Sequence, residues 1–280
     1  MRILIVGLGL IGASYAMGLK AKGHKIYGVA RSKETVLKAK ERHIVDQAST
    51  DFKDFIDKSD VIIICLYPKA ILPMIKEMQP YFRRGQLVTD VCGIKSSICQ
   101  EANILAKPAT FVGHHPMAGR EKVGIDYASD KIFEKANFLI TPTGNYKEND
   151  IVTLKQIAYD LGFGKVHIIS PEHHDKLIAY TSQLTHAIAV SLVNADSDTD
   201  TASFIGDSYR DLTRIAKING SLWSELFLNN TDNLVAEIEA FESELNSLKT
   251  ALVSEDTNSL LEIFERSTRK RSALDEKDFS

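Results

Sequence analysis

What the chain lacks narrows its class before any motif is read. No apolar run reaches the roughly 18 residues of a membrane-spanning helix, and the start shows no charged, apolar and cleavage regions of a secretory signal. No membrane partner is expected, and the chain reads as cytoplasmic. Neither sign of charge dominates: 34 Lys and Arg stand against 37 Asp and Glu, a net of −3. That balance gives no basic footprint for nucleic acid, and no nucleic-acid partner is expected. Cysteine is scarce. Cys65, Cys92 and Cys99 are odd in number and lack C-x-x-C spacing, which argues against a disulfide framework and a cysteine metal site, so no metal is expected. They read as free thiols packed as small hydrophobes.

What remains is the composition of an ordinary globular protein, 280 residues long and 44% hydrophobic, enough for two domains. Up to about residue 169, apolar runs at 2–6, 25–29, 61–67, 87–92, 110–113, 138–141 and 165–169 alternate with amphipathic stretches. The alternation predicts an α/β fold with a Rossmann-type, doubly wound, mostly parallel sheet over 1–169. After Pro171 strand-like runs stop, and an all-helical domain is expected over 170–280. There Leu234, Ile238, Phe241, Leu245, Leu248 and Leu252 are spaced 4, 3, 4, 3, 4, a stripe that needs a partner helix, either within the chain or across a homodimer.

The first strand-like run, Arg2–Val6, leads at once into Gly7-Leu8-Gly9-Leu10-Ile11-Gly12. A strand entering G-x-G-x-x-G predicts a dinucleotide site: Gly7 for the turn, Gly9 for approach of a pyrophosphate, Gly12 for close packing of the next helix. That helix is expected from Ile11 to Lys22, stopped by Gly23. An acid near the end of the second strand would bind the adenine ribose hydroxyls, and it too is missing. Ala30 stands there instead, followed by Arg31 and Ser32. The absence removes repulsion toward a 2′-phosphate, and Arg31 and Ser32 could hold one. NADP is therefore the expected cofactor and NAD the alternative, although Ser32 serves equally well as a helix N-cap.

Two further stretches carry candidate chemistry. Gly113-His114-His115-Pro116-Met117-Ala118-Gly119 falls where a strand should end at the cofactor cleft, and a histidine there can accept a hydroxyl proton near neutral pH. In the helical half, Thr181-Ser182-Gln183-Leu184-Thr185-His186 precedes Ser208-Tyr209-Arg210-Asp211-Leu212-Thr213-Arg214-Ile215-Ala216. Arg210 and Arg214, at i and i+4, would share a helix face. An arginine projecting from such an apolar wall could bind a carboxylate by a fork.

Together GLGLIGAS, GHHPMAGRE, HDKLIAYTSQLTHAIA and SYRDLTRIA, followed by Leu222-Trp223, resemble the prephenate/arogenate dehydrogenase family of tyrosine biosynthesis. The resemblance implies oxidative decarboxylation of prephenate to 4-hydroxyphenylpyruvate, or of arogenate to tyrosine, with NAD(P). It implies His115 as proton acceptor, His186 in the substrate pocket and Arg214 on a substrate carboxylate, and we place Gln183 and His114 with them. The family's D-x-G-S-x-K reads Asp90-Val91-Cys92-Gly93-Ile94-Lys95, so Gly93 lacks the serine hydroxyl. Its S-H-L-P-H reads with Gln183 and Thr185 in place of histidine and proline. Some relatives resemble fusions with a chorismate mutase or a small regulatory domain, and from the length of the helical part after Pro171 neither is expected here. A β-hydroxyacid dehydrogenase is disfavoured because the expected base is a strand-end histidine. A non-catalytic NADP sensor would keep the glycines alone.

Overall fold

The computed structural model describes residues 1–119 and 122–278; Arg120 and Glu121, inside the GHHPMAGRE stretch, lie outside it, as do Phe279 and Ser280. Eight strands form one sheet: β1 (Arg2–Val6), β2 (Lys25–Val29), β3 (Gln47–Ser49), β4 (Val61–Ile64), β5 (Leu87–Asp90), β6 (Thr110–Pro116), β7 (Asn137–Pro142) and β8 (Lys165–Ile168). Their order is β3-β2-β1-β4-β5-β6-β7-β8. Neighbours pair in parallel except β6 and β7, which are antiparallel. The mostly parallel doubly wound sheet read from the sequence is present. Gln47-Ala48-Ser49 escaped notice because a three-residue strand with one apolar side chain has no periodicity to detect.

The sheet's two faces follow from the period of two along a strand. Ile3, Ile5, Val61, Ile63 and Leu87 face one layer, built on α1 (Leu10–Ala21) and α5 (Glu148–Asp160). Leu4, Val6, Ile62, Ile64 and Val88 face the other, built on α3 (Pro68–Met78) and α4 (Ser96–Leu105). The helix α2 (Lys33–Glu41) follows β2. Order reverses at β1, whose neighbours are β2 and β4. A cleft therefore opens beyond the carboxyl ends of these strands.

The helical segments are α6 (Pro171–Ile178), α7 (Leu184–Asn194), α8 (Asp207–Thr213), α9 (Gly220–Leu228), α10 (Thr231–Val253) and α11 (Thr257–Asp278). A π-helical turn, Ala179–Gln183, joins α6 to α7; such turns occur often at functional sites. Contacts divide the chain into two compact units, Met1–Thr231 and Asp232–Ser280. The first therefore contains α6 to α9 as well as the sheet. In the second, Arg266 pairs with Glu244 between α11 and α10, while Phe241, Leu245 and Leu252 stay exposed. Among the described residues no helix is long and apolar enough to cross a membrane.

The glycine turn separates two constraints. Gly7 has φ +101°, and a Cβ on Gly12 would lie 1.9 Å from the Gly7 carbonyl oxygen. A Cβ on Gly9 would meet nothing within 4 Å. Gly12→Ala should therefore destabilise the protein by about 1–3 kcal/mol through overpacking, measured as a lower denaturant midpoint. Gly9→Ala should leave that midpoint unchanged and weaken dinucleotide binding. Equal midpoints for the two variants would refute the assignment.

Candidate active site

A cleft of about 480 Å³ opens at the start of α1. Gly9, Ile11 and Gly12 line one side, Cys65 to Pro68 the next, and Gly93 and His115 to Gly119 the floor. The helical wall comes from Ser182, Gln183 and His186 with residues 215–226. All of these lie in the first compact unit.

The glycine side fits a dinucleotide. Gly9 is the N-cap of helix α1, which has no side-chain cap and no acid in its first turn, so its first N–H groups are available to a phosphate. Open space above Gly9 lets that anion approach. Leu8 is buried in the core beneath the turn, whereas Leu10, also buried, lines the cleft. Gly7 N–H donates to the Val29 carbonyl at 2.8 Å, which sets Ala30, Arg31 and Ser32 beside the turn. Ala30 is buried and Arg31 exposed. Ser32 acts as the N-cap of α2: its Oγ accepts from Thr35 N–H at 3.1 Å and bonds the Thr35 hydroxyl at 2.9 Å.

The tandem histidines separate because β6 continues through Pro116. In a strand, neighbouring side chains point to opposite faces. His114 turns toward α1, where it is fully buried. Its Nε2 bonds the Tyr15 hydroxyl at 2.8 Å, its Nδ1 the Thr89 hydroxyl at 2.7 Å, and its ring stacks on Phe138. The expectation that His114 binds substrate is corrected: both ring nitrogens are used inside the core. His115 turns the other way and lines the cleft. A Cβ on Gly93 would stand 3.5 Å from His115 Nε2, so Gly93, which lacks a hydroxyl, directly faces that nitrogen.

On its far side, His115 Nδ1 lies 2.9 Å from His174 Nε2. His174 Nδ1 lies 2.7 Å from Asp175 Oδ1. Asp175 accepts Lys95 N–H at 2.8 Å and Ser96 N–H at 2.7 Å, capping α4 from another helix. Beneath it, buried Lys95 donates to Asp90 Oδ2 at 2.7 Å, and the same oxygen accepts Cys92 N–H at 2.9 Å. Burial and the neighbouring His174 and Lys95 hold His115 well below the ordinary histidine range. Burial, reinforced by Lys95, does the same to His114. Burial raises Asp175, but hydrogen bonds from His174 and Ser96 outweigh it and keep the carboxyl low.

The helical wall matches the sequence reading unevenly. His186 lines the cleft, stacked on Trp223 at 3.6 Å, with Nδ1 2.8 Å from the Ser182 carbonyl. Gln183 reaches the wall but is buried. Its amide donates to the Leu226 carbonyl at 2.9 Å and accepts from Asn230 at 2.8 Å, so it ties α9 to the π-helical turn. Helix α8 stops at Thr213, and Arg214 opens a 3-10 turn. Arg210 and Arg214 therefore do not share one helix face; Arg210 pairs with Asp207. Arg214 is exposed, and the cleft wall is made by Ile215, Lys217 and Ile218 beside it.

Residues 15–167 match the family model of the prephenate dehydrogenase nucleotide-binding domain, and residues 170–266 that of the prephenate dehydrogenase dimerization domain. The chain belongs to the prephenate dehydrogenase family. A crystal structure of prephenate dehydrogenase from A. aeolicus, in complex with hydroxyphenyl propionate and NAD+, shares 31% identity and a TM-score of 0.89, covering 98% of both chains. Synechocystis arogenate dehydrogenase is 29% identical with a TM-score of 0.84, over 98% of this chain and all of that one. Cyclohexadienyl dehydrogenase of Zymomonas mobilis is 29% identical, over 97% of this chain and 95% of the relative.

Within this prephenate dehydrogenase fold, sequence reasoning missed His174 and Asp175 although it quoted their HDKL segment. Nothing in local spacing announces a contact across 59 residues. The depressed histidines have a consequence for stability. Below the ordinary value of 6.5 the unfolded chain takes up protons that folded His114 and His115 resist. Stability from these groups is complete above that value and lost as pH falls below it. A urea midpoint that drops between pH 7 and pH 5, above the range where carboxylates titrate, is the expected result. A flat midpoint across that interval would contradict it.

Proposed function

We propose that this chain is an NAD(P)-dependent prephenate dehydrogenase that converts prephenate to 4-hydroxyphenylpyruvate. The carrying observation is His115, whose Nε2 faces the cleft beside Gly93 across from the glycine turn. When bound, the nicotinamide supplies the hydride acceptor. The substrate's C4–H pair leaves as hydride while His115 Nε2 takes the C4 hydroxyl proton. The bond to the ring carboxylate breaks, releases carbon dioxide and completes the aromatic ring. The phenolate oxygen then recovers the proton from His115. Aromatisation drives the reaction, so the protein aligns donor and acceptor and holds one proton.

Substrate and cofactor preferences belong to this reading. Among the described lining residues the ionisable groups include Lys122, Lys217, His115 and His186, with no carboxylate. That set suits a dianion with a keto side chain and offers no partner to the ammonium of arogenate. Arg214, at the head of the turn that carries Lys217, is assigned to the substrate's carboxylates together with that lysine. His186 on Trp223 is assigned to the pocket for the ring. NADP is favoured because the end of β2 carries Ala30 and then exposed Arg31, with Ser32 engaged as a cap. We assign the second copy of a homodimer to the exposed stripe of Phe241, Leu245 and Leu252, within residues matched by the dimerization-domain model.

His115→Asn should retain dinucleotide binding and lose about 10²–10⁴-fold in turnover, the usual contribution of a general base. Near-full turnover would overturn the proposal. A four-way assay of prephenate and arogenate, each with NAD and NADP, follows reduced nicotinamide. It should favour prephenate with NADP. Arg31→Ala should raise KM for NADP by about tenfold or more, the scale of a lost charge-assisted hydrogen bond, and leave KM for NAD little changed. Equal effects on both would assign Arg31 to the solvent-facing surface alone.

A further inference from the structure

His115 can act as a base only in one tautomer, and the residues behind it specify which. Asp175 accepts two backbone N–H groups, from Lys95 and Ser96, and its Oδ1 also meets His174 Nδ1 at 2.7 Å. An ionised carboxylate only accepts hydrogen bonds, so the proton between them sits on His174 Nδ1. A neutral His174 then presents a lone pair at Nε2. The 2.9 Å contact to His115 Nδ1 requires the proton to sit on His115 Nδ1. The remaining His115 nitrogen, Nε2, is left with its lone pair toward the cleft.

We propose that His174 and Asp175 are positioning residues that fix His115 in its Nδ1–H tautomer. This inference rests on the reading of His115 as proton acceptor. The device fits this chain in particular. Gly93 offers no hydroxyl beside Nε2, and its missing Cβ leaves that side of the ring without a polar neighbour from its own side chain. Orientation comes from behind, through α6. Asp175 is in turn held by the first N–H groups of α4, and the Asp175 carbonyl accepts from Asn230 at 2.9 Å. The carboxylate therefore has little freedom to rotate away.

The test separates tautomer from packing. His174→Leu removes the acceptor for His115 Nδ1–H, while His174→Gln can supply a carbonyl oxygen in its place. His174→Leu should lower kcat by about 10²-fold with KM changed less than about threefold, since a misoriented base affects the chemical step. His174→Gln should recover at least about tenfold of that loss. A His174→Leu kcat within about threefold of the unsubstituted enzyme would overturn the proposal. Equal losses in both variants would do so as well, since they mark a packing role. A second measurement needs neither turnover nor a folded His174 variant. Imidazole ¹⁵N shifts of the unsubstituted protein should show His115 protonated at Nδ1, and Asp175→Asn should move that proton to Nε2. Protonation at Nε2 in the unsubstituted protein would overturn the proposal even if His115→Asn is inactive. An inactive His115→Asn with the expected tautomer would leave both readings standing, and full activity of that variant would remove only the base.

Discussion

The alternation of side chains along β6 is the constraint on which the site depends. Tyr15 from α1 and Thr89 from β5 hold His114 at both ring nitrogens, and Phe138 stacks on its ring. With that residue fixed in one layer, the pleat leaves His115 no direction but the opposite one. A residue slip in β6 would exchange the two histidines, burying His115 against α1. The antiparallel register, with His114 opposite Ile140 and His115 opposite Leu139, opposes such a slip. The core histidine is thus part of how the cleft histidine is aimed, although it never reaches the cleft.

The second dependency is the loop from Asp90 to Lys95. A fully buried ion pair is costly unless its geometry is good and its remaining hydrogen bonds are met. Lys95 and Asp90 meet at 2.7 Å, and Asp90 also accepts Cys92 N–H. Burial alone would lower the Lys95 ammonium, but Asp90 outweighs it and holds the group above its ordinary value. The pair folds the loop so that Gly93 passes in front of His115. Asp90 Oδ1 has no hydrogen-bond partner among the described residues. Replacing either partner would leave an unpaired buried charge beneath the cleft residues Gly93 and His115.

Much of this was legible in the chain and some of it could not be. Gly7 to Gly12 announced the turn because each glycine answers a local steric demand. His186 and His115 were legible as cleft residues through the motifs that contain them. His114 was read into the cleft beside His115 because the strand was expected to stop at Gly113; β6 runs on through Pro116, and strand alternation sends the two histidines to opposite faces. Gln183, placed in the pocket by its position in the S-H-L-P-H motif, does reach the cleft wall, but its bonds to Leu226 and Asn230 join elements far apart in sequence and could not be read. Arg214 was drawn on a continuous helix that ends one residue before it. His174 and Asp175 were invisible as partners because their contacts join α6 to β6 and α4, elements far apart in sequence.

The electrostatics of these elements bear on one another in the proposed reaction. Neutral His115 sits near Lys95 and His174, and both disfavour a proton on it. Those neighbours make it a weak base. Prephenate brings two carboxylates into a wall whose described charged groups include Lys122 and Lys217. Within a site of reduced dielectric those carboxylates favour the imidazolium far more than they would in water. Asp175, one ring away, adds a fixed negative charge that needs no reorganisation when the proton arrives. Lys95 and His174 suppress the base, and in the proposed complex the anionic substrate offsets them. Base strength and substrate binding are therefore coupled by charge, and the proton is accepted most readily when the molecule that donates it is in place.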